Sequence, residues 1–323
     1  MPAGDILPLL LTLFGLTAVG QLLRVLGALP ANAPDVLGRV IVQITMPALL
    51  IGILARARFE SGLLPALLAT TAAMFVALAL GALWLRLLGA ARPSQGAAGI
   101  VAAFSNTAFL GLPFVLARYP GSQSAATTAV IIDTVDTTIL LLTAGVAFAT
   151  AMASQTRVAA PRRTGGAARA ARGLLRLLAQ PMMIAVLLGL GLALSGRELP
   201  ALLSGPLALI GQATTTLAFL TIGLGLDLRS LRGQTGALAG IATIKLIIMP
   251  GVAALILLAL GVRGEVAQAA VLQAAMPTAV VAAIIATNAG CDGRLAAAAA
   301  VVTTLLSLLT LPILTASMDA IGL

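Results

Sequence analysis

Two kinds of polar chemistry are set into an otherwise oily chain. Ser105, Asn106 and Thr107 stand in a row, followed by Gly111 and Pro113, inside a run that otherwise reads as a membrane-spanning helix. The Asn106 amide offers two donors and an acceptor without net charge, which suits a carboxylate. Its alternative use is to satisfy the backbone of its own chain break. Pro113 has no N–H, so the carbonyl of Phe109 loses its helical partner. In hydrocarbon such a break survives only where protein or a water-filled cavity receives the freed group. The second kind of chemistry is ionisable. Asp133 and Asp136 stand three residues apart, on one helical face, and Lys245 is the lone charge of its apolar run. A charge at mid-membrane costs about 3 kcal/mol on insertion scales unless water or a partner meets it. The pair points to a cation or proton site coupled to transport. A structural ion pair with Lys245 is the alternative, and such a pair can also open on protonation.

The elements that position these groups follow from composition. Of 323 residues, 60% are apolar and 9% charged, with mean hydropathy +1.11. A soluble domain carries roughly 25% charged residues, so the chain reads as an all-α integral membrane protein. A span takes about twenty apolar residues. Ten such runs are present, roughly 5–27, 35–55, 62–88, 95–117, 123–149, 174–195, 201–226, 234–260, 265–289 and 294–317. Residues 150–173, with Arg157, Arg162, Arg163, Arg169, Arg172, Pro161, Gly165 and Gly166, read as a basic, flexible linker. It divides the chain into halves at 1–149 and 174–323.

The formal charge of +9 is carried by loop arginines, which set topology rather than bind nucleic acid. The side holding the linker carries thirteen arginines, among them Arg24, Arg39, Arg86, Arg92, Arg176, Arg229, Arg232 and Arg294. The opposite side carries Arg56, Arg58, Arg118, Arg197 and Arg263. The linker is therefore read as cytoplasmic and both termini as outside. One cysteine, Cys291, excludes a disulfide framework, and the absence of histidine removes the commonest metal ligand. No cofactor is expected beyond a coupling proton or sodium ion.

A repeat search joins the halves. Gln43 and Gln212 sit in similar settings 169 positions apart (212 − 43), and the turns at Gly121 and Gly290 repeat the same offset (290 − 121). Five spans per half is an odd number, so the halves lie inverted across the membrane. That is the plan of many secondary transporters, with broken helices crossing at the midplane. Span nine is expected to break as span four does, at Gln273-Ala274-Ala275-Met276-Pro277-Thr278. Pro277 lies five residues out of register with Pro113 (277 − 169 = 108). Ser105, Asn106, Thr107, Gln273 and Thr278 are the candidate substrate ligands, with Gly111, Pro113 and Pro277 as helix breakers. Gln43 and Gln212 either join them or hydrogen-bond between helices.

SNTAFLGLP, QAAMPTAVVAAIIATNAGCD, VVTTLLSLLTLPIL and the earlier LGRVIVQITMPALLIGI resemble the auxin efflux carrier family of bacterial and plant membrane transporters, over essentially the whole chain. The resemblance implies ten spans in two inverted halves. Spans one, two, six and seven would form a scaffold that often dimerises. Spans three to five and eight to ten would form a transport domain, with a fold similar to that of bile-acid sodium symporters. It further implies an organic anion as substrate, auxin- or malonate-like, contacted at Asn106. Asp133, Asp136 and Lys245 are not covered by the resemblance and rest on their residues alone. The expected function is alternating-access transport of a small organic anion. A sodium–proton antiporter on the same fold is the alternative. An intramembrane enzyme is disfavoured, because no metal motif and no activated nucleophile is present.

Overall fold

The computed structural model describes residues 6–57, 59–153, 175, 178–197, 199–225, 235–320 and 323. Most of the basic linker, with Arg157, Arg162, Arg163, Arg169 and Arg172, lies outside the described residues, as do Arg58, Arg176, Arg229 and Arg232. Among the described residues the regular structure is all helical. Helix α1 is Ile6–Val25. α2 (Ala33–Val40) and α3 (Met46–Leu54) form one rod with a wide turn between them, and α4 is Leu63–Leu87. α5 (Arg92–Ala103) and α6 (Leu112–Arg118) flank a break. α7 (Gln123–Ile132) runs on through wide turns into α8 (Val146–Met152). α9 is Pro181–Ser195 and α10 is Ala201–Gly225. α11 (Thr235–Thr243) continues as α12 (Met249–Ala259). α13 (Glu265–Ala275) and α14 (Val280–Ala289) flank a second break, and α15 is Gly293–Ala320. Six of these rods are long and apolar enough to cross a membrane: Ala33–Leu54, Leu63–Leu87, Gln123–Met152, Leu202–Gly225, Thr235–Ala259 and Gly293–Met318.

The wide turns are π turns, and three of them have a common chemical cause. Ile41–Thr45 precedes Pro47, Thr107–Gly111 precedes Pro113, and Ile244–Ile248 precedes Pro250. A helical proline cannot donate to the carbonyl four residues back, and its ring crowds that carbonyl. The chain relieves both by widening one turn, so that Met46, Leu112 and Met249 donate instead to Ile41, Thr107 and Ile244, five residues back.

Two compact units result. The first holds the described residues of Met1–Gly15, Phe59–Ser154 and Leu226–Leu323. Its core is built on alanine: Ala73 and Ala77 of α4 lie with Ala97, Ala98, Val101 and Ala102 of α5, and with Leu238 and Ile241 of α11. Small residues let helices approach closely where lipid supplies no hydrophobic drive. A Cβ on Gly81 would stand 2.6 Å from the Ala98 carbonyl oxygen, so α4 and α5 touch backbone to side there. The second unit holds the described residues of Leu16–Arg58 and Gln155–Gly225. In it α3 packs between α9 and α10, with Gly189 against Leu54 and Gly211 against Leu49. α1 meets α10 at Gly20 and Gly223, where an added Cβ would strike the Leu220 and Thr17 carbonyls respectively.

Candidate functional site

The two breaks meet within the first unit. α5 stops at Ala103, and Phe104 turns extended (φ −93°, ψ 115°). α13 stops at Ala275, and Met276 (φ −63°, ψ 145°) and Ala279 (φ −66°, ψ 129°) are extended too. The two short extended segments run antiparallel and pair through Ser105 and Thr278. Asn106 N–H donates to the Pro277 carbonyl at 2.7 Å, and Ala279 N–H donates to the Phe104 carbonyl at 2.9 Å. Thr278 is wholly buried; its N–H donates to Thr303 Oγ1 at 3.1 Å and its hydroxyl to the Val101 carbonyl at 2.7 Å. Backbone groups that helix would have satisfied are thus satisfied by tertiary bonds, as burial requires.

This geometry corrects the expected place of the first break. It lies at Phe104–Asn106, not at Pro113, where the helical run continues from the π turn into α6. The helix ends at Ala103 and Ala275 are 172 residues apart (275 − 103). That is three from the 169 offset, against five for the prolines. Pro277 does lie in its unwound segment. Gly111 has a different role from the one read in the sequence. It is part of the π turn, and a Cβ there would overlap Gln273 Oε1, so glycine reserves space for that side chain.

The candidate ligands divide by what they touch. Asn106 is 8% exposed and stands at the N-cap of the π turn, yet its side chain makes no capping bond. Gln273 donates through Nε2 to the Ala129 carbonyl at 3.0 Å, and its Oε1 is buried without a donor among the described residues. Thr107 donates to Asp133 Oδ1 at 2.6 Å and lies 2.6 Å from the Thr137 hydroxyl. Gln43 and Gln212 lie in the second unit, where both side chains are exposed.

The ionisable groups are all buried, but not in the arrangement expected. Asp133 faces Thr107 across from the first break, whereas Asp136 turns to α4, accepting from Thr70 at 2.7 Å and Thr71 at 2.6 Å. They lie on a π-helical stretch, Asp133–Ile139, which spreads side chains that an α-helix would hold on one face. Lys245 pairs with neither. Its ammonium donates to Ser105 Oγ at 2.7 Å and to the Ala274 carbonyl at 2.8 Å, with Met249 Sδ at 3.1 Å. The structural Asp–Lys ion pair is accordingly absent from the described contacts, because Lys245 is turned to the crossing instead. Thr70, Thr71 and Met249 were not singled out in the sequence; the Thr-Thr pair amid the apolar residues of α4 was the available signal. A small cavity, with room for about one water molecule, lies between these groups. Ser105, Thr107, Thr70, Thr137, Asp136, Met249, Gln273 and Ala274 are among its walls.

Long apolar helices, two breaks that cross inside one unit, and buried polar groups around the crossing define the class: a membrane transporter. Comparison with known proteins agrees. Residues 5–315 match the family described as membrane transport protein. An uncharacterized transporter from Methanothermobacter thermautotrophicus is 30% identical over 307 residues, covering 94% of this chain and 95% of that protein. The chain belongs to this membrane transport protein family, the auxin efflux carrier family that its motifs resemble.

Proposed function

We propose that the protein is a secondary transporter of a small organic anion, working by alternating access about the crossing. The observation that carries this reading is Asn106, 8% exposed and with no capping bond from its side chain, beside two unwound segments. Helix N-termini add partial positive charge there, since Thr107–Gly111 and α14 both begin at the crossing. Neutral donors with helix dipoles suit a carboxylate such as malonate. Ser105, Thr107, Gln273 and Thr278 shape the site around Asn106. The antiparallel pairing of the breaks supports two inverted five-helix halves, ten spans in all. The first unit takes the transport role and the second the scaffold role, through which the protein would dimerise. The protein would sit in a bacterial inner membrane, and the excess of arginine on one side supports both termini outside and the linker in the cytoplasm.

Asp133 and Asp136 are the positions for a coupling proton or sodium ion. Their direct partners are hydroxyls, which also favours a second reading, sodium–proton antiport on the same fold. One experiment separates the two. Purified protein is screened by thermal shift against malonate and indole-3-acetate, with and without sodium, at two pH values. Binding stabilises by mass action, so an anion-dependent rise in midpoint supports organic-anion transport. No response to any carboxylate, with proton release on sodium addition alone, supports the antiporter instead.

A further inference from the structure

Lys245 is wholly buried and makes contacts that an ordinary ion-paired lysine would not. Its acceptors are one hydroxyl oxygen, one main-chain carbonyl oxygen and a thioether. The carbonyl belongs to Ala274, in the last turn of α13, where carbonyls lack helical partners and the helix carries partial negative charge. The hydroxyl belongs to Ser105, on the opposing unwound segment. A carbonyl at a helix end together with a hydroxyl is the ligand set that hard monovalent cations take at interrupted helices. All three contacts also line the small cavity that Asp136 lines from another side. In so dry a place the carboxylate's field reaches a cation beyond contact distance. Lys245 sits on the π turn that Pro250 imposes, so the sequence that widens this turn also sets where the ammonium emerges.

We propose that Lys245 is a tethered cation, its ammonium filling a monovalent-cation site formed by Ser105 Oγ and the Ala274 carbonyl at the crossing. The protein then carries at this position, as part of its own chain, a charge that a free sodium ion could supply. Removing the ammonium and its stem uncovers that site. Removing the charge while keeping the bulk does not.

The test uses detergent-purified full-length protein without organic substrate, so its outcome does not depend on the anion reading. Thermal midpoints of wild type, Lys245→Ala and Lys245→Met are compared in 150 mM sodium chloride and in choline chloride at the same concentration. The expected result is a sodium-over-choline gain of about 3 °C in Lys245→Ala beyond that of wild type, and no added gain in Lys245→Met, whose side chain fills the site. Recovery of Lys245→Ala as a monodisperse species in sodium but only as aggregate in choline supports the proposal equally. A folded Lys245→Ala with no added sodium response overturns it. So does an equal gain in Lys245→Met, or aggregation of Lys245→Ala in both salts.

Discussion

Adding one methyl group at Gly111 should damage the protein through a residue 162 positions away (273 − 111). A Cβ at that position falls on Gln273 Oε1, and Gln273 is wholly buried, so the carboxamide has nowhere open to swing. Overpacking of this kind costs about 1–3 kcal/mol. Displacing the carboxamide also breaks its bond to the Ala129 carbonyl, about 1 kcal/mol, since that carbonyl keeps its helical donor from Asp133. Gly111→Ala should therefore lose about 2–4 kcal/mol, or about 5–15 °C in midpoint by the scaling for large domains. The assay is thermal unfolding followed by circular dichroism in detergent, with the double variant Gly111→Ala/Gln273→Ala alongside. Shortening Gln273 removes the atom that the new methyl meets. The double variant should thus be more stable than the sum of its singles predicts by at least about 1 kcal/mol. A Gly111→Ala protein with an unchanged midpoint, or strict additivity in the double variant, refutes this account of Gly111.

Further consequences concern the bonds that hold the site. Thr278→Val keeps the shape but leaves the Val101 carbonyl without the hydroxyl donor, at an expected cost of about 1–3 kcal/mol; a midpoint unchanged within error counts against the crossing as drawn. Asp133→Asn or Asp136→Asn should remove the ion dependence of uptake in proteoliposomes. Uptake that keeps its full pH and sodium dependence in both variants rules out the coupling role. In the second unit, Gly223→Ala sets a methyl on the Thr17 carbonyl and must part α1 from α10; about 1–3 kcal/mol of destabilisation is expected by thermal unfolding, with no change in ligand affinity.

Much of this architecture was legible in the residues, for reasons that mark the boundary of what was not. Apolar runs reproduce helix bounds closely: 62–88 was read where Leu63–Leu87 forms, and 234–260 where Thr235–Ala259 forms. Length and hydropathy suffice for that, because a helix in lipid satisfies its own backbone. Polar side chains at 105–107 and 273–278 marked the breaks for the same reason. The exact unwinding was not legible, because it depends on bonds such as Asn106 to Pro277 that join segments far apart in sequence. Proline marks a missing donor but not how the chain absorbs the loss; before Pro47, Pro113 and Pro250 it does so with a π turn. The spacing of Asp133 and Asp136 did not reveal the partners of Asp136 and Lys245, which lie on other segments. Asp136 turns to two α4 hydroxyls and Lys245 to the crossing.

The central claim is that the crossing presents Asn106 to a carboxylate. Its most direct measurement is equilibrium binding of malonate, or of whichever carboxylate shifts the wild-type midpoint most, to wild type and Asn106→Ala by isothermal titration calorimetry. A hydrogen bond to a charged group contributes about 1.5–3 kcal/mol, which predicts a loss of affinity of about 10- to 150-fold in a variant that still elutes as a folded species. Binding within about twofold of wild type contradicts the claim.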